Sequence, residues 1–393
     1  MRRIAVAAVA AGLAGAALPV VPAQAAGGLG GYSTTATATP LKIEVYEPTI
    51  PIPASPQAEL SLAYTKTEAT TGPTTDGRAS WLWPGDSVGE GFKTFVEMMG
   101  LPKQLGQGGY PVQTNSQAPG GPKQQSDEPV PGGVERTRSS RSGGSVAMAG
   151  YSPDGDVSQS GGGGKGGGVP GLPAPGAPTP TGAAGPSSGP GLPPELAALV
   201  DASGMASVSR SVGHGGVATS VGTSRLHDLS LLGGLVTADS VTVTTRASSD
   251  GHHATTMATS NVVGLEVAGT PVTVDGNGVS AAGKAQAIPG LPSDPAKAMK
   301  QLGISFRLPQ GRRRVTGANG TAAIQGLQVV VDTGPLRSKL DGLPLDEIVN
   351  QVPNRAGELK AVLGALVNLS PRFVITTGTA AAQINTVPEI ALP

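Results

Sequence analysis

Leu41-Lys42-Ile43-Glu44-Val45-Tyr46 sets Leu41, Ile43 and Val45 on one face and Lys42, Glu44 and Tyr46 on the other. Such a strict period of two specifies a β-strand, because successive strand side chains point to opposite faces. The period returns with hydroxyls in the polar places. Val241 and Val243 alternate with Thr242 and Thr244, Ser249-Asp250-Gly251 forms a hairpin turn, and residues 254–263 run back. Small and β-branched residues dominate, with 60 Gly, 36 Pro and 3% aromatics, a balance that favours strands joined by many turns. The expectation is a mainly β fold: an antiparallel sandwich or roll with a few short peripheral helices and a long disordered linker.

The remaining elements follow the same cues. Residues 26–39 form a tether or a first edge strand; further strands are expected at 59–68 and 78–83. Val88, Phe92, Phe95 and Met99 fall on one face of a helix over 87–99, with Ser87 and Glu90 as its capping box. Residues 103–132 show no periodicity. Residues 134–138 and 145–151 pair as a hairpin, and His214-Gly215-Gly216 turns another within 205–223. From 156 to 193 Gly, Pro, Ser and Ala leave almost nothing to bury, so this tract is a disordered linker. Beyond it a helix opens at Pro194-Glu195. Strands are expected at 226–232, 236–247, 304–308, 313–316 and 322–332, helices at 295–302, 345–352 and 356–368, and a closing hairpin around Gly378. The organisation is 1–25, 26–155 (β-rich with one helix), 156–193 and 194–393 (β-rich with short helices).

Residues 1–25 form a secretory leader. Arg2 and Arg3 precede an apolar run from Ile4 to Val21, and Ala23-Gln24-Ala25 supplies the small residues for cleavage before Ala26. No later apolar run reaches the ~18 residues of a spanning helix. The expectation is a secreted protein, released or held at the cell surface by binding rather than by an anchor. The chain has no Cys, which excludes disulfides, thiol catalysis and thiolate metal sites. It has 27 basic and 27 acidic residues, a balance that does not favour nucleic acid.

Leu231-Leu232-Gly233-Gly234-Leu235-Val236-Thr237-Ala238-Asp239-Ser240-Val241, a Thr/Ala/Ser hairpin, and then Gly264-Leu265-Glu266-Val267-Ala268-Gly269-Thr270-Pro271-Val272-Thr273-Val274 are similar to a family of secreted actinobacterial surface proteins called choice-of-anchor P. The likeness covers residues 226–278. Family members continue into a Pro-Asn-rich loop, of which Asn277 is the trace here, and often into a C-terminal anchor. The resemblance implies an exported β-rich protein and no particular reaction.

Gly85-Asp86-Ser87-Val88-Gly89 fits the G-x-S-x-G nucleophile elbow and resembles the Gly-Asp-Ser opening of the SGNH hydrolases. Asp250 and His253 have that family's Asp-x-x-His spacing, so a secreted esterase-like hydrolase using Ser87, Asp250 and His253 is the alternative function. Against it, about 0.7 matches to G-x-S-x-G arise by chance at this glycine content. Pro84 and two tryptophans replace the apolar strand that leads into such elbows, the Gly-x-Asn-Asp block is missing, and Ser87 already serves as a cap.

His252 and His253 are adjacent on a strand and face apart, so no metal site is expected from His214, His227, His252 and His253. Asp154-Gly155-Asp156 lacks the rest of a calcium loop. The glycines around Lys165 are linker, not a phosphate loop. Arg312-Arg313-Arg314 is read as a solvated turn, with a dock for cell-wall polyanions as its other reading. Trp81 and Trp83, at i and i+2, share one face. They either anchor the core or form a stacking platform for sugar rings. The expected function is a cell-envelope protein with a structural, adhesive or glycan-binding role and no catalysis or cofactor. Its expected partner is a cell-wall glycan or another envelope protein.

Overall fold

The computed structural model describes residues 29–47, 55–98, 100–142, 144–152, 200–231, 234, 236–267, 269–275, 278–281, 303–307, 311–332 and 371–388. The leader at 1–25, the 156–193 linker, the Asp154-Gly155-Asp156 fragment and the helices expected at 295–302, 345–352 and 356–368 lie outside them. So does the helix opening at Pro194-Glu195, except Val200, which begins a strand. Among the described residues no helix is long and apolar enough to cross a membrane.

The chain opens with β1 (Leu29–Tyr46), β2 (Ala58–Thr70) and β3 (Thr75–Trp83). Two short helices, α1 (Asp86–Gly89) and α2 (Phe92–Met98), and a 3₁₀ turn at Lys103–Gly106 follow. Then come β4 (Thr114–Ala118), β5 (Gln124–Asp127), β6 (Gly133–Ser140) and β7 (Gly144–Tyr151). The next run is β8 (Val200–Asp201), β9 (Gly204–His214), β10 (Val217–Leu231), β11 (Val236–Ser249), β12 (Ala254–Val263), β13 (Glu266–Val267), β14 (Thr270–Asp275) and β15 (Gly278–Ala281). The last is β16 (Ile304–Arg307), β17 (Arg312–Thr316), β18 (Asn319–Gln325), β19 (Gln328–Asp332) and β20 (Arg372–Pro388).

All pairings are antiparallel, and the strands form two sheets, as the alternation predicts. One sheet runs β16-β19-β20-β1-β2-β3-β4, with the β17–β18 ribbon also joined to β20. The other runs β15-β14-β13-β11-β10-β9-β7-β6-β5, with β12 on β11 and β8 on β10. Both stretches of sequence flanking the 156–193 tract enter both sheets. β1 pairs with β20 from Leu29↔Pro388 to Tyr46↔Arg372, and β7 pairs with β9. From Leu29 onward the chain is therefore a central strand, not the tether or edge strand expected at 26–39.

Three other expectations change. In place of one helix over 87–99 there are two, Asp86–Gly89 and Phe92–Met98, because the helix breaks at Glu90–Gly91. Residues 103–132 contain β4 and β5, whose short polar sequences carry no period. Gly378 bends one long strand and reverses nothing: it sits at φ 78° in β20, opposite Pro40, which has no amide hydrogen to donate. Its Cα faces Val243 of the opposing sheet, where a Cβ would lie 2.7 Å from the valine methyl.

The two sheets pack in two different ways. Toward Tyr46 the interior holds large side chains: Leu41, Leu62, Trp81, Met205, Leu226 and Ile375. Toward Leu29 hydroxyls and alanine methyls dominate, around a small cluster of Ile384 with Leu29 and Tyr32. Ser209 and Ser211 of β9 meet Thr65 and Thr67 of β2, with Oγ–Oγ distances of 2.9 and 3.0 Å. They also donate to the β2 carbonyls of Thr65 and Thr67 at 3.3 and 3.1 Å, and Ser207 donates to Ala63 O in the same way. Ser220 donates to Gln383 O across the layers at 3.0 Å, and Ser249 meets Thr386 at 2.8 Å. A side chain as short as serine bridges to the opposing backbone only when the sheets lie well inside the ~10 Å spacing of ordinary sandwiches. Gly222 lies at this closest approach, where a Cβ would stand 2.5 Å from Thr37 O.

Candidate functional site

Five of the eleven aromatic residues form one chain of ring contacts at the large-side-chain pole, where β3 runs into α1 and α2. Trp83 stacks on Tyr64 with centroids 5.2 Å apart and meets Tyr110 edge-on at 5.6 Å. Tyr110 in turn meets Phe92 at 5.4 Å, and Phe92 stacks with Phe95 at 6.3 Å. The Arg78 guanidinium lies 4.9 Å from the Trp83 ring centroid. The indole Nε1 donates to Asp86 Oδ1 at 3.0 Å, fixing α1 on the ring. Tyr110 Oη donates to Leu82 O at 2.5 Å. Burial, with Glu135 as a lesser cause, pushes the Tyr110 phenol up to about 12.

Ion pairs rim this cluster. Glu90 accepts from Lys66 at 3.1 Å and from Arg78 at 3.2 Å. The Lys66 hydrogen bond, aided by the charges of Lys66 and Arg78, holds its carboxyl below the usual range. Lys42 bridges Glu44 and Glu59, each at 3.1 Å. Beyond the rim, Met98, Leu101 and Leu105 stand exposed on α2 and the turn that follows.

The residues of the hydrolase alternative are not brought together. Ser87 is exposed inside α1, whose N-cap is Gly85 with no side-chain bond, so the expected capping box is absent. Glu90 is committed to its cations instead. β3 ends at Trp83, in register with Ser61 and hence with Lys42 of β1. Asp250 and His253 flank Gly251, which packs beside Leu29 and Pro388. Ser87 and the pair therefore sit at opposite poles, roughly 40 Å apart at the ~3.3 Å rise per strand residue. Asp250 is an Asx turn that accepts from the amides of His252 and His253 at 2.8 and 2.7 Å. Those two bonds, His253's first, hold its carboxyl below the usual range. The His253 side chain is 87% exposed, 3.9 Å from Asp250.

Trp81 and Trp83 are 4% and 1% exposed. A platform for sugar rings needs open ring faces, and these have none. Their surroundings also differ: Trp81 meets Tyr151 across the layers at 6.2 Å, whereas Trp83 lies beneath α1. Among the described residues no group of three or more His, Asp or Glu side chains is placed to hold a metal. Arg312, Arg313 and Arg314 lie on a strand, not in a turn, and all three are exposed.

One residue that sequence reasoning passed over stands out. Glu135 of β6 is fully buried between the sheets. Its Oε1 accepts the Trp81 amide at 2.5 Å, and its Oε2 has no partner. Burial pushes its carboxyl up to about 7 against the pull of the Trp81 N–H, and nearby Asp127 adds to the rise. Flanked in sequence by Val134 and Arg136, it looks like an ordinary strand position. Only the packing of β3 over β6 singles it out.

No protein-family profile and no curated protein matches this chain. Among solved structures there is a match to the crystal structure of Pseudomonas aeruginosa OccK9 (OpdG), at 10% identity over 91% of this chain and 98% of that one. The TM-score is 0.16, which carries no argument about fold or function.

Proposed function

We propose that this chain is an exported cell-envelope protein with a structural or adhesive role, contacting its partner through the aromatic pole. The observation that carries this reading is the register of β1 with β20. Leu29 pairs with Pro388, so both ends of the described sandwich lie at the hydroxyl-packed pole. Met98, Leu101 and Leu105 stand exposed at the other pole, away from both ends of the described sandwich. Exposed apolar side chains next to half-buried aromatic rings suit the apolar face of a sugar or of another envelope protein.

Two measurements test this. Expressed with residues 1–25 in a bacterial host, the protein is expected outside the cytoplasm with Ala26 at its N-terminus. Purified, it is expected to co-sediment with isolated cell envelopes. Leu101→Ser with Leu105→Ser is expected to abolish that binding without changing the melting temperature. Retention inside the cell with an intact leader would overturn the export reading. Undiminished sedimentation of the double variant would remove the pole from the adhesive one.

A further inference from the structure

A second surface lies on another part of the molecule. β16 and β17 occupy the same outer edge of the first sheet, one joined through β19 and the other through β18 to β20. Arg307 ends β16, and Arg312, Arg313 and Arg314 open β17; all four are exposed. Among the described residues no ion pair to the triplet is present. β18, its hydrogen-bonded neighbour, reads Asn-Gly-Thr-Ala-Ala-Ile-Gln, and β12, which lies against the ribbon, carries no charged residue. A chain with 27 basic and 27 acidic residues thus concentrates unpaired positive charge on one sheet edge.

We infer that the β16–β17 edge is a docking site for a phosphodiester-linked polyol or sugar polymer of the envelope. Charge complementarity calls for a polyanion. The guanidinium fork binds phosphate through paired N–H donors and fits carboxylate by the same geometry, so polyglutamate is the comparison that tests the choice. Arg312 and Arg314 share one face of β17, ~6.8 Å apart, while Arg313 points to the other. A flexible linear polymer can straddle the edge and reach both faces. β12, β17 and β18 contain no aromatic residue, and Phe306 of β16 is half-buried against the core, so the edge offers no open ring on which bases stack. The choice of an envelope polymer rests on the export reading above; the binding itself does not.

The test uses the purified chain from Ala26 onward, with poly(glycerol phosphate) as the probe. Poly-L-glutamate and oligothymidylate are the comparison polymers. Wild type is expected to bind the probe at low salt. The logarithm of its affinity should fall with the logarithm of salt at a slope of about −2 to −3, the release expected for three or four phosphate contacts on a single-stranded polymer. Arg312→Gln/Arg313→Gln/Arg314→Gln is expected to weaken binding at least tenfold with an unchanged melt, and the triple Lys variant to keep part of the affinity. Equal binding by the Gln variant, or none by wild type, overturns the site and leaves the arginines as guards against edge-to-edge pairing. Tighter binding of polyglutamate or oligothymidylate overturns the choice of polymer. Neither failure touches the export reading, which is read out by cell fractionation.

Discussion

The two poles of this sandwich are built on different principles. At one, Trp83, Tyr64, Tyr110 and Phe92 interlock beneath two short helices, and stability comes from the area of large rings. At the other, Ser209, Ser211, Thr65 and Thr67 bind the sheets so closely that a single methyl matters. The first pole resembles a conventional core, tolerant in shape and expensive in area. The second is a dry polar seam, in which each hydroxyl is worth little alone but a mismatch cannot relax. The contrast teaches that a chain with few aromatics and no cysteine can hold two large sheets together by concentrating its bulk at one end and thinning the other until short side chains reach across.

The sharpest way to break that picture is at the bulky pole. Trp83→Ala removes the ring on which Tyr64, Tyr110, Arg78 and α1 converge, and is expected to cost about 3–5 kcal/mol in urea denaturation. A loss near 1 kcal/mol would mean that the rings are decoration.

The next effect belongs to the interior carboxyl. Glu135 is pushed up to about 7 in the folded protein, from 4.5. The unfolded chain therefore ionises first as pH rises. Stability is full below about pH 4.5, falls between about 4.5 and 7, and stays at its lower level above. At 1.36 kcal/mol per pKa unit the fall is about 3 kcal/mol. Glu135→Gln is expected to flatten this slope and to be the more stable form above pH 7, as read from denaturation midpoints across the range. A wild-type profile without the fall would show that Glu135 reaches solvent.

The smallest effect probes the seam. Ser209→Ala loses the bond to Thr65 for about 1 kcal/mol. Ser209→Val adds bulk where there is no room and is expected to cost more, about 1–3 kcal/mol. If valine is tolerated better than alanine, the seam is an ordinary apolar interface and the distinction between the poles fails.

Much of the architecture could be read from side-chain period and turn chemistry. The β6–β7 hairpin, the Gly215–Gly216 turn and the β11–β12 hairpin lie where the alternation and the turn residues place them. What escaped was decided by tertiary contacts. The centrality of β1 depends on β20, a partner from the far end of the sequence. Gly378 bends a strand because Pro40 and Val243 surround it, and its own sequence looks like a turn. β4 and β5 carry no apolar period: Ser116 of β4 meets Ser139 across the layers, and β5 is an exposed edge strand beside β6. The site was less legible still. Ser87 has the spacing of a nucleophile but the exposure of a helix surface, and Trp81 and Trp83 separate once Asp86 draws α1 over one of them. Glu135 gives no local signal at all.

The pairing of Leu29 with Pro388 also sets an order of events. β1 is made first and β20 last, so the middle of the first sheet closes a loop of nearly the whole chain. Such a topology has high contact order and folds slowly. Until β20 arrives, β1 offers a long open edge to any other strand nearby. A chain threaded through a pore from its N-terminus stays unfolded across that passage for as long as its last strand is still behind. On the export reading proposed above, the fold would be completed only on the far side, when β20 arrives.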